Sequence, residues 1–292
     1  MVIRGSDEVS ISAKTKLLGV IGDPVSHSLS PLIHNAALSE LALDYVYLAF
    51  RVPAYALGAA VEGFRAFGIR GLSVTMPHKA KIGQYLDSLS ESSKALNSVN
   101  TVYWDTVTGR LCGTSTDGAG FIDGLKLELD FTPSDKVVGV IGTGGAARSI
   151  VWSLANEGAS QVRVFGRNRE KVEQTLLIGG DRCKMATLES LRDCDLLVNA
   201  TPVGMNGQGD DQTLPVPEWV LQQEMLICDI VYSPIVTAFM QTASAKGCKV
   251  LGGLPMLLHQ AARAFKHFTG FDPPLQAMTS ALESRLQLGD IT

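Results

Sequence analysis

Short apolar runs alternate with longer amphipathic stretches along nearly the whole chain. Apolar runs bounded by turn residues are typical of buried strands, whereas apolar residues spaced three and four apart are typical of helices. Regular alternation of the two predicts parallel sheets whose strands are joined by right-handed helical crossovers. The pattern therefore predicts an α/β fold.

The first part of the chain has its own set of strands and helices. Its predicted strands lie at 17–22, 45–51 and 72–75, followed by a strand pair at 99–104 and 110–113 with a turn over 106–109. Its predicted helices lie at 31–41, 54–67 and 118–129, with helical pieces at 80–86 and 91–96. Ser30 is expected to cap the first helix, which has Pro31 in its first turn.

The second part repeats the alternation. Its predicted strands lie at 137–141, 161–165, 196–200, 225–229 and 249–251, and its helices at 148–156, 170–177, 237–246, 255–268 and 274–286. The stretch 204–211 is the most loop-like. A chain of 292 residues is long enough for about two domains. Two such sheets would leave a cleft between the domains, which is a usual place for a ligand.

Composition narrows the class of protein. Hydrophobic residues make up 46% of the chain, charged residues 18%, and the net charge is −4 without a long basic run. The chain can therefore bury large cores, and neither nucleic acid nor an anionic membrane is expected as a general partner. It contains no membrane-length apolar run and no N-terminal hydrophobic signal core, so we expect a soluble cytoplasmic protein.

Cysteine and histidine spacing gives no sign of a disulfide framework or a metal site. The number of cysteines is odd, no two form a Cys-x-x-Cys pair, and each is interpreted as a small buried hydrophobe. They are Cys112, Cys183, Cys194, Cys228 and Cys248. The histidines also lack metal-ligand spacing; they are His27, His34, His78, His259 and His267.

A glycine-rich turn after the strand predicted at 137–141 points to a dinucleotide. The turn covers residues 142–147 and leads into a predicted helix, which is the strand–turn–helix context of a dinucleotide fingerprint. Gly142 allows the tight turn, Gly144 allows the backbone to approach a pyrophosphate, and Ala147 allows close packing of helix and strand. The helix N-terminus offers N–H groups to the phosphates.

The end of the next predicted strand indicates which dinucleotide is bound. An NAD site usually has Asp or Glu there, whereas an arginine accommodates the 2′-phosphate of NADP. This chain has Gly166, Arg167, Asn168 and Lys171, with no acidic residue at the strand end. A guanidinium can hold a phosphate with two parallel hydrogen bonds, so NADP is the predicted cofactor.

Three polar clusters follow strands in the first part, where open α/β sheets bind ligands. Residues 22–31 place Ser28 and Ser30 at a helix N-terminus, which suits a carboxylate, although Ser30 alone could be an ordinary cap. Residues 73–79 end in Lys79, which could otherwise be a solvated surface lysine. Residues 114–120 include Thr116 and Asp117, either of which could simply cap the following helix.

Together these clusters resemble the shikimate dehydrogenase family, which includes shikimate/quinate dehydrogenases. The resemblance covers nearly the whole chain, in segments that occur in the same order as in the family. The matching segments are 22–35, 73–79, 98–101, 115–118, 142–146, 199–205, 229–234 and 253–261.

The resemblance implies two α/β domains and an NADP-dependent oxidoreductase acting on a CH–OH group. A substrate domain with a mainly parallel sheet would cover 1–116 and be completed by helices in 254–292, and a Rossmann-type domain would cover 117–253. The implied reaction is the reversible reduction of 3-dehydroshikimate to shikimate, a step of chorismate and aromatic amino acid biosynthesis. The implied catalytic residues are Lys79, the general acid, and Asp117, which orients it.

The resemblance also implies the ligand contacts. Residues implied to bind shikimate or 3-dehydroshikimate are Ser28, Ser30, Thr75, Lys79, Asn100, Asp117, Tyr232 and Gln260. Residues implied to bind NADP are Glu91, Gly142, Thr143, Gly144, Gly145, Ala146, Arg167, Asn168, Lys171, Thr201, Met205, Ile230 and Gly253. No metal is implied, and the expected assembly is a monomer or a homodimer.

Three positions depart from the family pattern, and three alternatives remain open. Ser73 and Ser115 stand where many members have asparagine, and Gly166 stands where NADP-specific members often have asparagine. One alternative is an enzyme that prefers quinate or uses NAD, and a second is an enzyme for an amino-substituted shikimate. The third is an NADP-sensing regulator without turnover, which would be expected to lack Lys79 or Asp117.

Overall fold

The computed structural model describes residues 11–207, 209 and 212–287. These residues form two compact units. Within the described residues, the first unit contains 11–89, Val99–Thr114 and 261–287, and the second contains Ser90–Ser98 and Ser115–Gln260. Part of the loop predicted at 204–211 lies outside the described residues.

The strands of the first unit are β1 (Lys16–Gly22), β2 (Tyr45–Arg51), β3 (Gly71–Val74), β4 (Ser88–Leu89), β5 (Thr101–Trp104) and β6 (Leu111–Thr114). Those of the second unit are β7 (Val137–Ile141), β8 (Gln161–Phe165), β9 (Cys183–Met185), β10 (Leu196–Asn199), β11 (Leu226–Asp229) and β12 (Lys249–Leu251).

The helices are α1 (Ser30–Glu40), α2 (Leu57–Ala66), α3 (Glu91–Leu96), α4 (Asp117–Leu129), α5 (Gly145–Asn156), α6 (Arg169–Gly179), α7 (Ala238–Ala245), α8 (Leu254–Thr269) and α9 (Leu275–Gln287). Short 3₁₀ turns occur at Ala54–Ala56, Ile82–Tyr85, Gly180–Arg182, Ser190–Asp193 and Glu218–Val220.

The sheet of the first unit has the order β2-β1-β3-β5-β6-β4. Strands β2, β1 and β3 are parallel, β5 is antiparallel to β3 and β6, and β4 is parallel to β6. On one face Leu72 and Val74 belong to a core cluster with Val61 and Phe64 of α2. Because side chains alternate along a strand, Tyr47 lies on the other face, where its ring stacks on that of His34. Helices therefore cover both faces of the sheet.

The sheet of the second unit is parallel throughout and has the order β12-β11-β10-β7-β8-β9. With β7 counted as the first strand this is the 3-2-1-4-5-6 arrangement of dinucleotide-binding folds. Val138 and Val140 of β7 pack in a core cluster with Ile150 of α5, and Leu197 of β10 packs with Phe239 of α7 on the opposite face. The strand order reverses at β7, so ligands are expected outside its carboxyl end.

The sequence pattern predicted the α/β class and most elements correctly, with several local corrections. The helix predicted at 54–67 begins as a 3₁₀ turn, and the helical piece predicted at 80–86 is only the 3₁₀ turn Ile82–Tyr85. Helix α5 begins at Gly145, three residues before the predicted start at 148. The pattern missed β4 and β9, which have two and three residues, because such short strands show no periodicity.

Disulfides, metal sites and membrane-spanning helices would each require a particular arrangement of the described residues. The five cysteines are unpaired. No group of three or more His, Cys, Asp or Glu side chains there is arranged to hold a metal ion. Within the same part of the chain, no helix combines the length and apolarity needed to cross a membrane.

Candidate functional site

The glycine turn after β7 has a conformation that requires glycine at its first position. Gly142 has φ +121°, in the left-handed region that side chains disfavour. A Cβ on Gly142 would lie 2.7 Å from the carbonyl oxygen of Ala200. The Gly142 N–H donates to the carbonyl of Phe165 over 2.8 Å, which ties the turn to β8. The backbone therefore turns sharply at the carboxyl end of the central strand.

The next two glycines have a different environment. Gly144 and Gly145 are exposed, and a Cβ on either would contact nothing within 4 Å. Gly144 is the N-cap of α5, and no side chain caps the helix. Thr143 and Ala146 beside them are half-buried, and Ala147 is fully buried as predicted. An uncapped helix N-terminus behind an open glycine surface fits a pyrophosphate, because its N–H groups and dipole favour anions.

The basic loop after β8 contains residues with different structural roles. Asn168 is the N-cap of α6, and its Oδ1 accepts a hydrogen bond from the Lys171 N–H at 3.0 Å. Arg169 pairs with Glu173 at 2.9 Å along the same helix. Arg167 and Lys171 are exposed, and neither forms an ion pair within the described residues. The side chains best placed to receive an additional phosphate are therefore Arg167 and Lys171.

The geometry explains one departure from the family pattern. A Cβ on Gly166 would lie 3.0 Å from Cγ2 of Val172 and 3.1 Å from Cγ2 of Thr143. Glycine therefore allows the basic loop to pack tightly against the glycine turn.

A buried polar network connects the loops that follow β10 and β11. Asn199 and Asp229 are both fully buried, and the Asn199 Nδ2 donates to Asp229 Oδ1 over 2.9 Å. The Thr237 hydroxyl donates to Asp229 Oδ2 at 2.7 Å, and the Val231 N–H donates to Oδ1 at 3.1 Å. Asn199 Oδ1 in turn accepts the Thr201 hydroxyl at 2.7 Å. The two loops are therefore held by fixed hydrogen bonds.

This network shifts the ionisation of its carboxyl group. Burial raises the pKa of Asp229 to about 6, although hydrogen bonds from Thr237, Val231 and Asn199 partly oppose the shift. Desolvation dominates because a buried carboxylate loses its hydration, which three donors only partly replace.

Of the other residues implied to bind cofactor, Ile230, Gly253 and Glu91 lie at the ends of elements in the second unit, and Met205 lies in the loop after β10. Met205 and Ile230 are half-buried, and Ile230 packs against the core cluster of that unit. A Cβ on Gly253 would collide with the carbonyl oxygen of Ile230, so glycine is needed for this close approach. Glu91 is exposed at the start of α3. Core packing therefore accounts for part of the environment of Ile230, and a close backbone approach accounts for the glycine at position 253.

Three residues implied to bind substrate also belong to the second unit. Asp117 is half-buried and is the first residue of α4. Thr116 occupies the N-cap position, but its hydroxyl donates to the carbonyl of Gln260 over 3.1 Å and caps nothing. Gln260 is half-buried, and its Nε2 donates to the Leu257 carbonyl at 2.9 Å. Tyr232 is partly exposed, and burial of the rest of the side chain raises its pKa.

Thr116 is therefore the N-cap residue by position but makes no side-chain capping hydrogen bond, and the interpretation of Asp117 as the cap is wrong. Asp117 already has a helical position, where its charge is favourable near the helix N-terminus. Ser115 is buried, and its Oγ has no hydrogen-bond partner in the described structure. No contact explains serine rather than asparagine at this position.

In the first unit, the sheet brings Thr75, Lys79 and Asn100 together. The Thr75 N–H donates to the carbonyl of Ile21 at 3.0 Å, directly after β3. The carbonyl of Lys79 accepts from the Val99 N–H at 2.8 Å, and that of Asn100 accepts from the Val74 N–H at 2.7 Å. These backbone bonds fix the lysine-bearing loop against the segment that leads into β5.

Two further contacts constrain this loop. His78 is buried, and its Nε2 lies 2.6 Å from the carbonyl oxygen of Val52, so this nitrogen carries the proton. Asn100 is also buried, and its Oδ1 accepts the Thr101 hydroxyl at 2.8 Å. Lys79 itself is half-buried. The structure therefore fixes the backbone on both sides of Lys79.

The serine loop after β1 joins the same end of the sheet. The Asp23 N–H donates to the carbonyl of Met76 at 3.0 Å, and the Ser30 N–H donates to Ser28 Oγ at 3.3 Å. The predicted capping of α1 by Ser30 is wrong, because Leu29 is the N-cap and no side chain caps the helix. Ser30 is instead the first helical residue, and Ser28 supports its backbone.

Residue-by-residue sequence reasoning missed several supporting residues. Tyr47 donates its hydroxyl hydrogen bond to Ser73 Oγ over 2.7 Å, and His78 fixes the lysine loop. Asn199 and Asp229 were noted only within segments that match the family, although polar residues ending buried apolar strands are a signal for buried networks. Nothing in the sequence distinguishes Tyr47, whose hydroxyl is hydrogen-bonded to Ser73, from any other tyrosine in a strand.

Family models match three parts of the chain. Residues 20–102 match the shikimate dehydrogenase substrate binding domain, and residues 253–283 match the shikimate 5′-dehydrogenase C-terminal domain. Residues 137–208, which contain the glycine turn, match the coenzyme F420-dependent NADP oxidoreductase.

Three proteins that are similar over almost the whole chain are also shikimate dehydrogenases. The shikimate dehydrogenase (NADP(+)) of Thermococcus kodakarensis is 42% identical over 272 residues, which cover 92% of this chain and 96% of that protein. Shikimate 5-dehydrogenase from Listeria monocytogenes, solved in complex with shikimate and NAD, has a TM-score of 0.87 and 36% identity, with 93% and 98% of the two chains covered. The enzyme from Thermus thermophilus, solved with NADP(H) and shikimate, has a TM-score of 0.83 and 36% identity, with 92% and 99% covered. On this evidence the chain belongs to the shikimate dehydrogenase family.

Proposed function

We propose that this chain is an NADP-dependent shikimate dehydrogenase that catalyses the reversible reduction of 3-dehydroshikimate to shikimate. The observation that carries the proposal is the 42% identity, over 92% of this chain, to a relative named shikimate dehydrogenase (NADP(+)). The chain also retains both residues, Lys79 and Asp117, that the family resemblance makes catalytic. A regulator without turnover would not need to keep them.

The residues of the second unit fit NADP. When bound, the nicotinamide supplies the hydride that reduces the substrate carbonyl. The open surface at Gly144 and Gly145 accommodates the pyrophosphate, supported by Gly142, Thr143 and Ala146 of the same turn. Arg167 and Lys171 hold the 2′-phosphate, and the side-chain oxygen of Asn168 keeps the start of α6 in place for them.

Further residues belong to the proposed nicotinamide end of the site. The loops that follow β10 and β11 contribute Thr201, Met205 and Ile230, and Gly253 keeps the backbone near Ile230 closely packed. Glu91 at the start of α3 is proposed as an additional cofactor contact. The Asn199–Asp229 hydrogen bond holds both loops and therefore fixes the side of the site that they form.

We assign general acid catalysis to Lys79. When hydride reaches the carbonyl carbon of 3-dehydroshikimate, negative charge develops on the carbonyl oxygen, and that oxygen takes a proton from Lys79 Nζ to give the alcohol. In the reverse direction Nζ accepts the proton of the shikimate hydroxyl. The fixed backbone on both sides of Lys79 supports this role, because proton transfer needs a positioned donor.

Asp117 is proposed to hydrogen-bond the reacting hydroxyl region and to orient the proton donor. Its position at the first residue of α4 places the carboxylate at a helix N-terminus, whose N–H groups and dipole attract negative charge. A carboxylate can then accept a hydrogen bond from a substrate hydroxyl.

Substrate recognition is proposed to divide between carboxylate and hydroxyl contacts. Ser28, Ser30 and Tyr232 donate to the substrate carboxylate, and Thr75, Asn100 and Gln260 bond its ring hydroxyls. A site of this kind rejects analogues that lack a hydroxyl, because a buried polar group left unpaired costs about 1–3 kcal/mol. In this scheme residues 1–116 and 254–292 form the substrate domain and 117–253 the cofactor domain.

The proposal also covers the oligomeric state of the enzyme and its location in the cell. We expect a cytoplasmic enzyme that is a monomer or a homodimer. Light scattering of the purified chain, with and without NADP, measures the assembly directly.

The test of the function is nicotinamide absorbance in four parallel assays, with shikimate or quinate, each with NADP or NAD. Turnover highest with shikimate and NADP supports the proposal. Comparable or faster turnover with quinate or NAD would replace it with a dual-specificity enzyme. Cofactor binding without turnover on any of the four pairs would instead favour a regulator.

A further inference from the structure

A tyrosine and a serine two strands apart form a hydrogen bond in the first unit. Tyr47 lies on β2 and Ser73 on β3, with β1 between them. Leu18 of β1 is paired with both Tyr47 and Gly71, so Tyr47 and Ser73 point to the same face of the sheet. The Tyr47 hydroxyl donates to Ser73 Oγ over 2.7 Å, which is a short and well-formed bond.

The structure holds Tyr47 rigidly. Its backbone N–H donates to Asn35 Oδ1 and its carbonyl accepts from Asn35 Nδ2, both at 2.9 Å. Its ring stacks on His34 with a centroid distance of 4.3 Å and an interplanar angle of 2°, and it is fully buried. Asn35 and His34 both belong to α1. The position of the Tyr47 hydroxyl is therefore set by the helix that begins at Ser30.

The direction of the hydrogen bond determines what Ser73 can do. A phenol has one proton, and that of Tyr47 is donated to Ser73. The Ser73 oxygen is therefore an acceptor in this pair, and its own proton remains to be donated to another oxygen. Burial raises the pKa of Tyr47, and hydrogen bonds with the Ser73 and Ser30 side chains oppose that shift, so Ser30 faces the same phenol.

Ser73 stands on the strand that leads to the proposed substrate residues. It lies two residues before Thr75 and six before Lys79. Its side chain is half-buried, whereas Tyr47 is inaccessible to a ligand. Ser73 is thus the more accessible end of a hydroxyl pair whose other end is fixed in the protein interior.

We infer that Tyr47 and Ser73 act as one substrate-recognition unit, in which Tyr47 is a positioning residue and Ser73 donates its hydroxyl proton to a substrate oxygen. The inference rests on the proposed function and extends it to Tyr47, to which the family resemblance assigns no role, and to Ser73, which stands where many members have asparagine. Tyr47 fixes the rotamer of Ser73, so removal of either hydroxyl abolishes the same contact. Their effects on substrate affinity are therefore not independent.

The test is a double-mutant cycle with Tyr47→Phe, Ser73→Ala and the double variant. We expect each single variant to raise the KM for shikimate about five- to tenfold, the effect of one lost hydrogen bond, with kcat and the KM for NADP within about twofold of wild type. The double variant should match the worse single variant. Ser73→Thr keeps the hydroxyl and should restore a KM within about twofold of wild type.

Tyr45→Phe is the matched control, because Tyr45 lies on the same strand and its hydroxyl contacts Lys16 at 3.5 Å instead. It should leave the kinetics unchanged. If the two single effects multiply in the double variant, or if kcat and both KM values change together, the pair has only a structural role and the inference is overturned. Absence of wild-type turnover on shikimate would overturn the proposed function, and this inference with it.

Discussion

At the scale of single residues, the local structure around Lys79 supports its proposed role as the proton donor. Its carbonyl is bonded to Val99, and the preceding His78 is buried against Val52, so the backbone that carries the amine is fixed. An ordinary solvated lysine needs no such support. The catalytic assignment therefore rests on the rigidity of the loop as well as on residue type.

Replacement of Lys79 by alanine should lower kcat by about 100-fold or more, because a positioned proton donor contributes on that scale. The KM for shikimate should change less, and the KM for NADP should stay the same. Steady-state kinetics in both directions measure these values. Lys81→Ala is the matched control, since Lys81 is an exposed lysine two residues away. A near-normal kcat for Lys79→Ala would remove it from the catalytic role.

The basic loop allows an equally direct comparison. Arg167→Ala should raise the KM for NADP about tenfold, because charge-assisted bonds to the 2′-phosphate are lost, and should barely change the KM for NAD. Arg169→Ala should affect neither cofactor, because Arg169 is paired with Glu173. Measurement of both KM values for each variant separates phosphate recognition from a general effect on the loop. Equal changes for NADP and NAD in Arg167→Ala would refute the assignment.

At the scale of elements, we expect the glycine turn to contain one glycine needed for folding, Gly142, and one needed for binding the cofactor, Gly144. Gly142→Ala should lower the free energy of unfolding by at least about 1 kcal/mol, because the residue has φ +121° and no room for a Cβ. Gly144→Ala should leave stability within about 0.5 kcal/mol, because that Cβ meets no protein atom. It should nevertheless raise the KM for NADP about tenfold, since the Cβ obstructs the approach of the pyrophosphate.

Urea unfolding followed by circular dichroism, together with cofactor KM values, measures both effects. The idea of two glycine roles would be abandoned if Gly144→Ala bound NADP normally or if Gly142→Ala were as stable as wild type.

The same element shows what a sequence pattern can predict. The apolar run 137–141, the glycines and Ala147 are local signals, and the structure confirms the strand, the turn and the buried alanine. The close packing at Gly166 is only partly local, since it involves Thr143 across the loop as well as Val172 of the following helix. The Tyr47–Ser73 bond likewise spans three strands. Local periodicity therefore predicts elements, whereas side-chain partners require the sheet order.

At the scale of the whole molecule, buried ionisable groups couple stability to pH in opposite directions. Burial lowers the pKa of His34, in the first unit, from 6.5 to about 3. The unfolded chain then binds a proton below pH 6.5 that the folded chain does not bind. The stability associated with a neutral His34 is present above pH 6.5 and is lost as the pH falls toward 3.

Asp229, in the second unit, has the opposite effect. Its folded pKa is about 6, above its ordinary value of 3.8, so the folded state holds a proton that the unfolded state releases. The resulting stability is present below pH 3.8 and is lost as the pH rises through 6. Between pH 4 and pH 6, a rise in pH therefore increases the stability contributed by His34 and decreases that contributed by Asp229. The two changes partly cancel, so the pH dependence of the wild-type free energy of unfolding is smaller than that due to either group alone.

Asp229→Asn should separate the two contributions. Asparagine keeps an oxygen for Asn199 and Val231, and its amide can donate to the Thr237 hydroxyl, but it does not titrate. The difference in unfolding free energy, variant minus wild type, should therefore rise by about 2 kcal/mol between pH 4.5 and pH 7. Urea titrations at four pH values measure this difference, and titrations common to both proteins cancel. A difference that stays constant with pH would mean that Asp229 does not titrate in this range and that burial does not control its charge.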